Sequence, residues 1–183
     1  NCIRSVIEQT KLAEYEIIIV DNASSEVDAD TFLQEFPKIR LIKSDKNGGF
    51  ACGNNMGIEK TTGDYILLLN SDTVLLDDTI SKCIDVMQQR NDIGVLGCRM
   101  TYPDGGIQYS ARRFRSISWE LLDLFRFIPL LMPYRKRSNR MLGKYFRHDA
   151  DMECDWVNGA FFLFPKRILE QMPGKKLDDR FFM

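Results

Sequence analysis

Tyr65-Ile66-Leu67-Leu68-Leu69-Asn70-Ser71-Asp72 is five apolar or aromatic residues followed at once by three oxygen-bearing ones. A short continuous apolar run bounded by turn residues is the pattern of a strand covered on both faces. Tyr15–Val20 repeats it and stops at Asp21-Asn22, and Ile39–Lys43 and Ile93–Cys98 repeat it again. Helical spacing fills the intervals: Asn1–Thr10, with Ile3, Val6 and Ile7 on one face, then Asp28–Phe36, Phe50–Lys60 and Asp78–Arg90, the last with Asp77 and Asp78 as N-terminal caps. Alternation of this kind predicts an α/β domain with a mostly parallel central sheet, Rossmann-related in plan. Ligands of such sheets bind beyond the carboxyl ends of the strands.

Composition agrees. The chain has 183 residues, 44% hydrophobic and 28% charged, with a net charge of −1. These values exclude a disordered tail, a collagen-like fibre and a disulfide-stapled miniprotein. One domain is expected over 1–183, in two halves, 1–100 and 101–183, the second of different character. Cys2, Cys52, Cys83, Cys98 and Cys154 form no C-x-x-C pair and His148 is the lone histidine, so no zinc cluster is expected and the thiols read as free, as in a reducing cytoplasm.

Three polar segments follow the apolar runs: Asp21-Asn22-Ala23-Ser24-Ser25, Lys46-Asn47-Gly48-Gly49 and Asn70-Ser71-Asp72-Thr73. Asp21 can accept the imino N–H of a pyrimidine base or can turn the chain through its own backbone. Asn47-Gly48-Gly49 opens a helix, and Asn54 lies one turn on. Backbone N–H groups at such a start can bind phosphate, but the string matches neither G-x-G-x-x-G nor a P-loop, and glycine also serves tight packing or positive φ. In Asn70-Ser71-Asp72, residues 70 and 72 point the same way from a strand. Asp72 offers the carboxylate and Asn70 a neutral helper for Mg²⁺ or Mn²⁺, which favours oxygen ligands shared with substrate phosphates. The alternative is a turn leading to the 78–90 helix. Downstream, Asp155–Phe164 reads as a further strand.

In order along the chain, Val20-Asp21-Asn22-Ala23-Ser24-Ser25, Asn47-Gly48-Gly49-Phe50-Ala51, Asn54-Asn55-Met56-Gly57-Ile58 and Gly63–Asp72 resemble the family 2 glycosyltransferases, most nearly their rhamnosyltransferase-like branch. Trp156-Val157-Asn158-Gly159-Ala160-Phe161-Phe162-Leu163 and Leu177-Asp178-Asp179-Arg180-Phe181-Phe182-Met183 are similar to that branch's later motifs. The resemblance implies a GT-A fold and inverting transfer from a nucleotide-sugar donor, dTDP-rhamnose or a UDP-sugar, to a glycan or lipid-linked acceptor in bacterial surface polysaccharide or cell-wall synthesis. It places Asp21, Asn22, Ser24, Asn47, Gly49, Asn54, Asn70, Ser71 and Asp72 at the nucleotide, Asp72 also at a divalent metal, and Trp156, Asn158, Gly159 and Asp178 on the sugar or acceptor side. Core packing is the alternative for Trp156. Asn70 stands where the usual D-x-D has its first carboxylate, and one charge fewer weakens the hold on a metal. The family pattern has a strand ahead of the Asn1 equivalent and a Glu-Asp pair, containing the catalytic base, just past the Met183 equivalent. Asp179 is therefore the nearest carboxylate to a catalytic position, and the chain as it stands is expected to lack the base. A solvated loop is the alternative for Asp178 and Asp179.

Residues 112–147 hold ten basic side chains against Glu120 and Asp123, a net +8. Within them Ile117–Pro133 is strongly apolar, but 17 residues with Glu120, Asp123, Arg126 and Pro129 are too short and too charged to span a bilayer. Flanking bases suit an anionic membrane surface, which would make the protein cytoplasmic and peripheral on the inner face of the cell membrane. A helix covering the sheet or a dimer contact is the alternative. Nucleic acid is not expected as a partner, because no docking motif accompanies the bases. Two rival functions fit the same residues: a non-catalytic sugar-nucleotide- or glycan-binding module, and a sugar-nucleotide nucleotidyltransferase.

Overall fold

The structure is a computed structural model describing residues 1–26, 28–125 and 131–180. Elements in chain order are α1 (Cys2–Gln9), β1 (Ile18–Asp21), α2 (Asp30–Glu35), β2 (Arg40–Lys43), α3 (Gly49–Ile58), β3 (Tyr65–Leu69), α4 (Thr79–Gln89), β4 (Met100–Thr101), β5 (Ile107–Gln108), β6 (Ala111–Arg112), α5 (Ile117–Leu124), α6 (Tyr134–Met141), β7 (Trp156–Val157) and β8 (Phe161–Pro165). Two compact units result. One comprises 1–68, 74–94 and 163–183, the other 69–73 and 95–162.

The first unit has the expected alternation. β1 pairs in parallel with β2, Ile18 opposite Arg40 through Asp21 opposite Lys43. α3 packs on β1 closely enough that a Cβ at Gly57 would lie 3.2 Å from a methyl of Val20. α1 is tied in by buried Ser5, whose hydroxyl donates to the Cys2 carbonyl at 2.8 Å and accepts the Leu75 N–H at 3.0 Å. Ile66 and Leu68 of β3, Ile80, Ile84 and Met87 of α4, and Leu163 and Phe164 of β8 are buried core residues here.

β3 pairs with β8. Lys166 N–H donates to the Asp64 carbonyl at 2.7 Å and Asn70 N–H to the Ala160 carbonyl at 3.1 Å, so the partners run in opposite directions and the pair is antiparallel. The expectation of a mostly parallel central sheet is therefore corrected. The described strands form four two-stranded ladders; β1/β2 is parallel, and β4/β5 and β6/β7 are antiparallel like β3/β8.

The strand expected at Ile93–Cys98 is reduced to a single bridge residue, Leu96, and β4 starts at Met100. A Cβ at Gly97 would lie 3.1 Å from Val157, so the backbone is pressed against β7, and the Cys98 carbonyl accepts from the Ser110 hydroxyl at 2.9 Å. The single strand expected over Asp155–Phe164 is two, β7 and β8, separated by a turn at 158–160. All five cysteines are free thiols. Among the described residues no helix is long and apolar enough to cross a membrane.

Leu163, 1% exposed in β8, is the most completely enclosed leucine of the first unit. Leu163→Ala is expected to cost about 2–5 kcal/mol in denaturant unfolding. Glu16 accepts the Thr62 N–H at 2.6 Å and hydroxyl at 2.8 Å, with Arg40 at 3.5 Å, and these bonds, the Thr62 N–H first, hold its pKa below the ordinary carboxylate value. A depressed folded-state pKa stabilises above the unfolded value and is lost as pH falls through the folded one. The deficit in thermal midpoint of Glu16→Gln is therefore expected at neutral pH and should shrink as the pH falls through the lowered pKa of Glu16.

Candidate donor-site residues in the two units

In the first unit the candidate residues gather at the carboxyl end of β1. Asp21 Oδ1 accepts the Ser24 N–H at 2.8 Å, and the Ser24 backbone and hydroxyl, with Lys43, lower its pKa. Ala23 inside this turn has φ 61°, a left-handed conformation that costs a non-glycine residue roughly 1 kcal/mol and is held only by its surroundings. The chain-turning reading of Asp21 is thus realised, and the carboxylate is fixed in its ionised form where it does so.

Asn22 next to it braces the glycine loop. Its Nδ2 donates to Asn47 Oδ1 at 3.0 Å and to the Gly49 carbonyl at 3.1 Å, while its Oδ1 accepts the Gly48 N–H at 3.0 Å. Asn47 Oδ1 also accepts the Gly49 N–H at 2.9 Å. Gly49 has φ +78°, which favours glycine, and a Cβ at Gly53 would press on the Asn22 amide at 3.3 Å. The Gly48 and Gly49 N–H groups at the start of α3 are therefore already accepted by Asn22 and Asn47. Asn54, expected at the nucleotide, donates to the Phe50 carbonyl of its own helix at 2.8 Å.

Its neighbour Asn55 escaped the sequence reading. Asn55 is buried and grips one residue in both directions, accepting the Leu177 N–H at 2.9 Å and donating to the Leu177 carbonyl at 3.0 Å. The only available signal was an asparagine falling on the inward face of α3. This clamp fixes the segment carrying Asp178 and Asp179. Arg180 pairs with Asp178 at 2.6 Å and draws its pKa down to about 2; Lys176 pairs with Asp179 at 2.6 Å and lowers that one too. Both carboxylates are exposed and ion-paired to near sequence neighbours, which reduces their proton affinity, whereas a general base working near neutrality gains from a raised pKa. Phe181, Phe182 and Met183 lie outside the described residues. A shallow depression lined by Asp64, Tyr65, Gln88 and Lys166 sits at the opposite, amino end of β3 and contains none of the candidates.

In the second unit, Asn70–Thr73 is a turn closed by Thr73 N–H donating to the Asn70 carbonyl at 3.1 Å. The Ala160 carbonyl accepts the Asn70 N–H, and the Ala160 N–H donates to Asn158 Oδ1 at 3.0 Å. Asn158 N–H in turn donates to the buried Ser110's carbonyl at 2.8 Å. Two motifs nearly ninety residues apart, Asn70-Ser71-Asp72 and Asn158-Gly159-Ala160, are thus adjoining turns. Ser71 and Asp72 are exposed, and among the described residues Asp72 has no ion pair. Trp156 is not core: it is 42% exposed on β7, with the Arg112 guanidinium 5.3 Å from its ring centroid.

The donor set at 70–72 is all oxygen with one carboxylate, and among the described residues no group of three or more His, Cys, Asp or Glu side chains could hold an ion unaided. A hard cation fits here only by taking most of its ligands from a phosphate-bearing ligand and water.

The family model for glycosyl transferase family 2 matches residues 1–162. The chain is 23% identical over 181 residues to the N-acetylglucosaminyl-diphospho-decaprenol L-rhamnosyltransferase of Mycobacterium tuberculosis, covering 91% of this chain and 56% of that protein. It is 27% identical over 107 residues to the glycosyltransferase GlyG of Streptococcus pneumoniae (57% and 35%), and 26% identical over 108 residues to the O-antigen biosynthesis protein RfbC of Myxococcus xanthus (58% and 8%). The matches span between 8% and 56% of the length of these relatives. With both strand-end turns and the order of the motifs in place, the chain belongs to glycosyl transferase family 2, whose GT-A fold it shares.

Proposed function

We propose that this chain forms the donor-binding part of an inverting glycosyltransferase of surface polysaccharide assembly. The donor is a nucleotide diphosphate sugar, dTDP-rhamnose or a UDP-sugar, and the acceptor a glycan or a lipid-linked sugar. The observation that carries this reading is the exposed Asp72, which among the described residues has no ion pair, on the turn that follows β3 and adjoins the Asn158–Ala160 turn. Family membership supports the reaction class, and the rhamnosyltransferase and O-antigen names of relatives support the choice of donor and pathway.

In this reading Asp21 and the loop braced by Asn22 and Asn47 take the nucleoside, Asp21 accepting a base N–H with the carboxylate that already holds Ser24. Asn70, Ser71 and Asp72 take the diphosphate. Asp72 would hold Mg²⁺ or Mn²⁺ jointly with it, and the ion when bound neutralises charge growing on the departing diphosphate. Trp156, with its exposed ring, and the Asn158–Gly159 turn take the sugar or acceptor side. Inversion requires the acceptor hydroxyl to attack the anomeric carbon opposite the diphosphate while a base removes its proton. The paired state of Asp178 and Asp179 makes neither a good base.

Calorimetric titration with UDP, dTDP and GDP, each with and without Mn²⁺, tests the assignment. One nucleotide should bind, more tightly with metal, and Asp72→Ala should remove the metal-dependent increment. Failure of all three to bind would overturn the proposal. Asn22→Ala deletes three hydrogen bonds of the loop. It should weaken the same nucleotide roughly tenfold and speed amide exchange at Gly48, while leaving the metal increment intact.

A further inference from the structure

α5 turns Trp119 and Asp123 inward and leaves Ser118 and Glu120 exposed. Asp123 accepts the Tyr145 hydroxyl at 2.7 Å and pairs with Lys144 at 2.7 Å, and the Trp119 indole N–H donates to the Met141 carbonyl at 3.4 Å. Ser116 caps the helix by accepting the Trp119 N–H at 3.2 Å. On the other side Ile117, Leu121, Leu124 and Phe125 are 83%, 52%, 73% and 56% exposed. Ile117, Leu121 and Leu124, four and seven residues apart, make one stripe along the helix, and Phe125 follows at its C-terminal cap. Phe114 before it and Leu131 after it are exposed as well. Large apolar side chains left together in water at one place mark a surface that another body covers.

Charge identifies that body. Arg113, Arg115 and Lys144 are paired with Asp155, Glu120 and Asp123. Arg135, Lys136 and Arg140 on α6, which α5 meets through the Trp119–Met141 bond, are exposed and among the described residues have no ion pair. A second copy seated on this face would bring the same unpaired cations together, at a repulsive cost. A bilayer with anionic headgroups accepts the apolar stripe at its acyl boundary and neutralises the cations at its surface. Arg126 and Pro129 of the same apolar segment lie outside the described residues.

We propose that α5 lies flat on an anionic membrane, with Ile117, Leu121, Leu124 and Phe125 inserted at the headgroup–acyl boundary and Arg135, Lys136 and Arg140 on lipid phosphates. The proposal is independent of which nucleotide the protein binds. The test is co-sedimentation of the chain with vesicles of phosphatidylcholine alone or mixed with phosphatidylglycerol. Binding is expected only to the phosphatidylglycerol vesicles and is expected to fade with added salt. Leu121→Asp/Leu124→Asp should abolish it, and Arg135→Gln/Lys136→Gln should weaken it about 30-fold, from roughly one basic contact's worth per residue. Circular dichroism confirms that each variant is folded, and Ile117→Ser serves as the milder probe if the double aspartate is not. Absence of binding to anionic vesicles, or binding indifferent to these variants, would overturn the proposal. So would a parent chain that sediments as a dimer and becomes monomeric in Leu121→Asp/Leu124→Asp, which would give the face to a second copy.

Discussion

A single backbone carbonyl, that of Ala160, ties the turn after β3 to the turn before β8. It receives the Asn70 N–H, and the residue that bears it donates its own N–H to Asn158. Buried β3 cannot end in irregular chain without leaving polar groups unpaired, so its last N–H must find an acceptor. Finding it on the turn before β8 stops the strand at Leu69, folds Asn70–Thr73 into a turn and leaves Asp72 projecting. The antiparallel β3/β8 pair is thus more than a scaffold: its register sets where a carboxylate stands relative to Asn158 and Gly159.

The polar residues of the first unit divide between holding and offering. Asn22, Asn47, Asn54 and Asn55 all spend side-chain hydrogen bonds on backbone or on each other. Amides engaged in this way fix loop geometry, which a ligand site requires before any contact is made. Asp21 is intermediate, since its carboxylate turns the chain and stays ionised in doing so. Ala23 in a left-handed conformation beside it shows how tightly that turn is over-determined.

Residues 112–147 combine basic charge with a helix held through Trp119 and Asp123. Local pairing engages several of the bases in this segment, and aromatic rings engage others: the Arg112 guanidinium lies 5.3 Å from Trp156 and that of Arg147 5.0 Å from Tyr134. A sum of formal charges therefore overstates the field that a partner meets, and the exposed cations of α6 carry what remains.

Local pattern alone determined the helices and strands of residues 1–90, because buried β-branched runs and amphipathic spacing are short-range signals. The order of its motifs pointed to the family, and the oxygen-rich strand ends to the candidate residues. What the pattern could not supply was pairing. Whether an apolar run lies parallel or antiparallel to its neighbour depends on long-range hydrogen bonds, so a mostly parallel sheet was expected where β3 meets β8 antiparallel. Ile93–Cys98 has the composition of a strand, but only Leu96 of it forms a bridge, with Gly97 pressed against Val157. The difference between Asn54 and Asn55, one bonded within its helix and one clamping Leu177, turns on helix phase and on a partner 122 positions away. The same holds for α5: its sequence showed that it has two faces, and only the positions of Tyr145, Lys144 and Met141 decided which of them would be left to the surroundings.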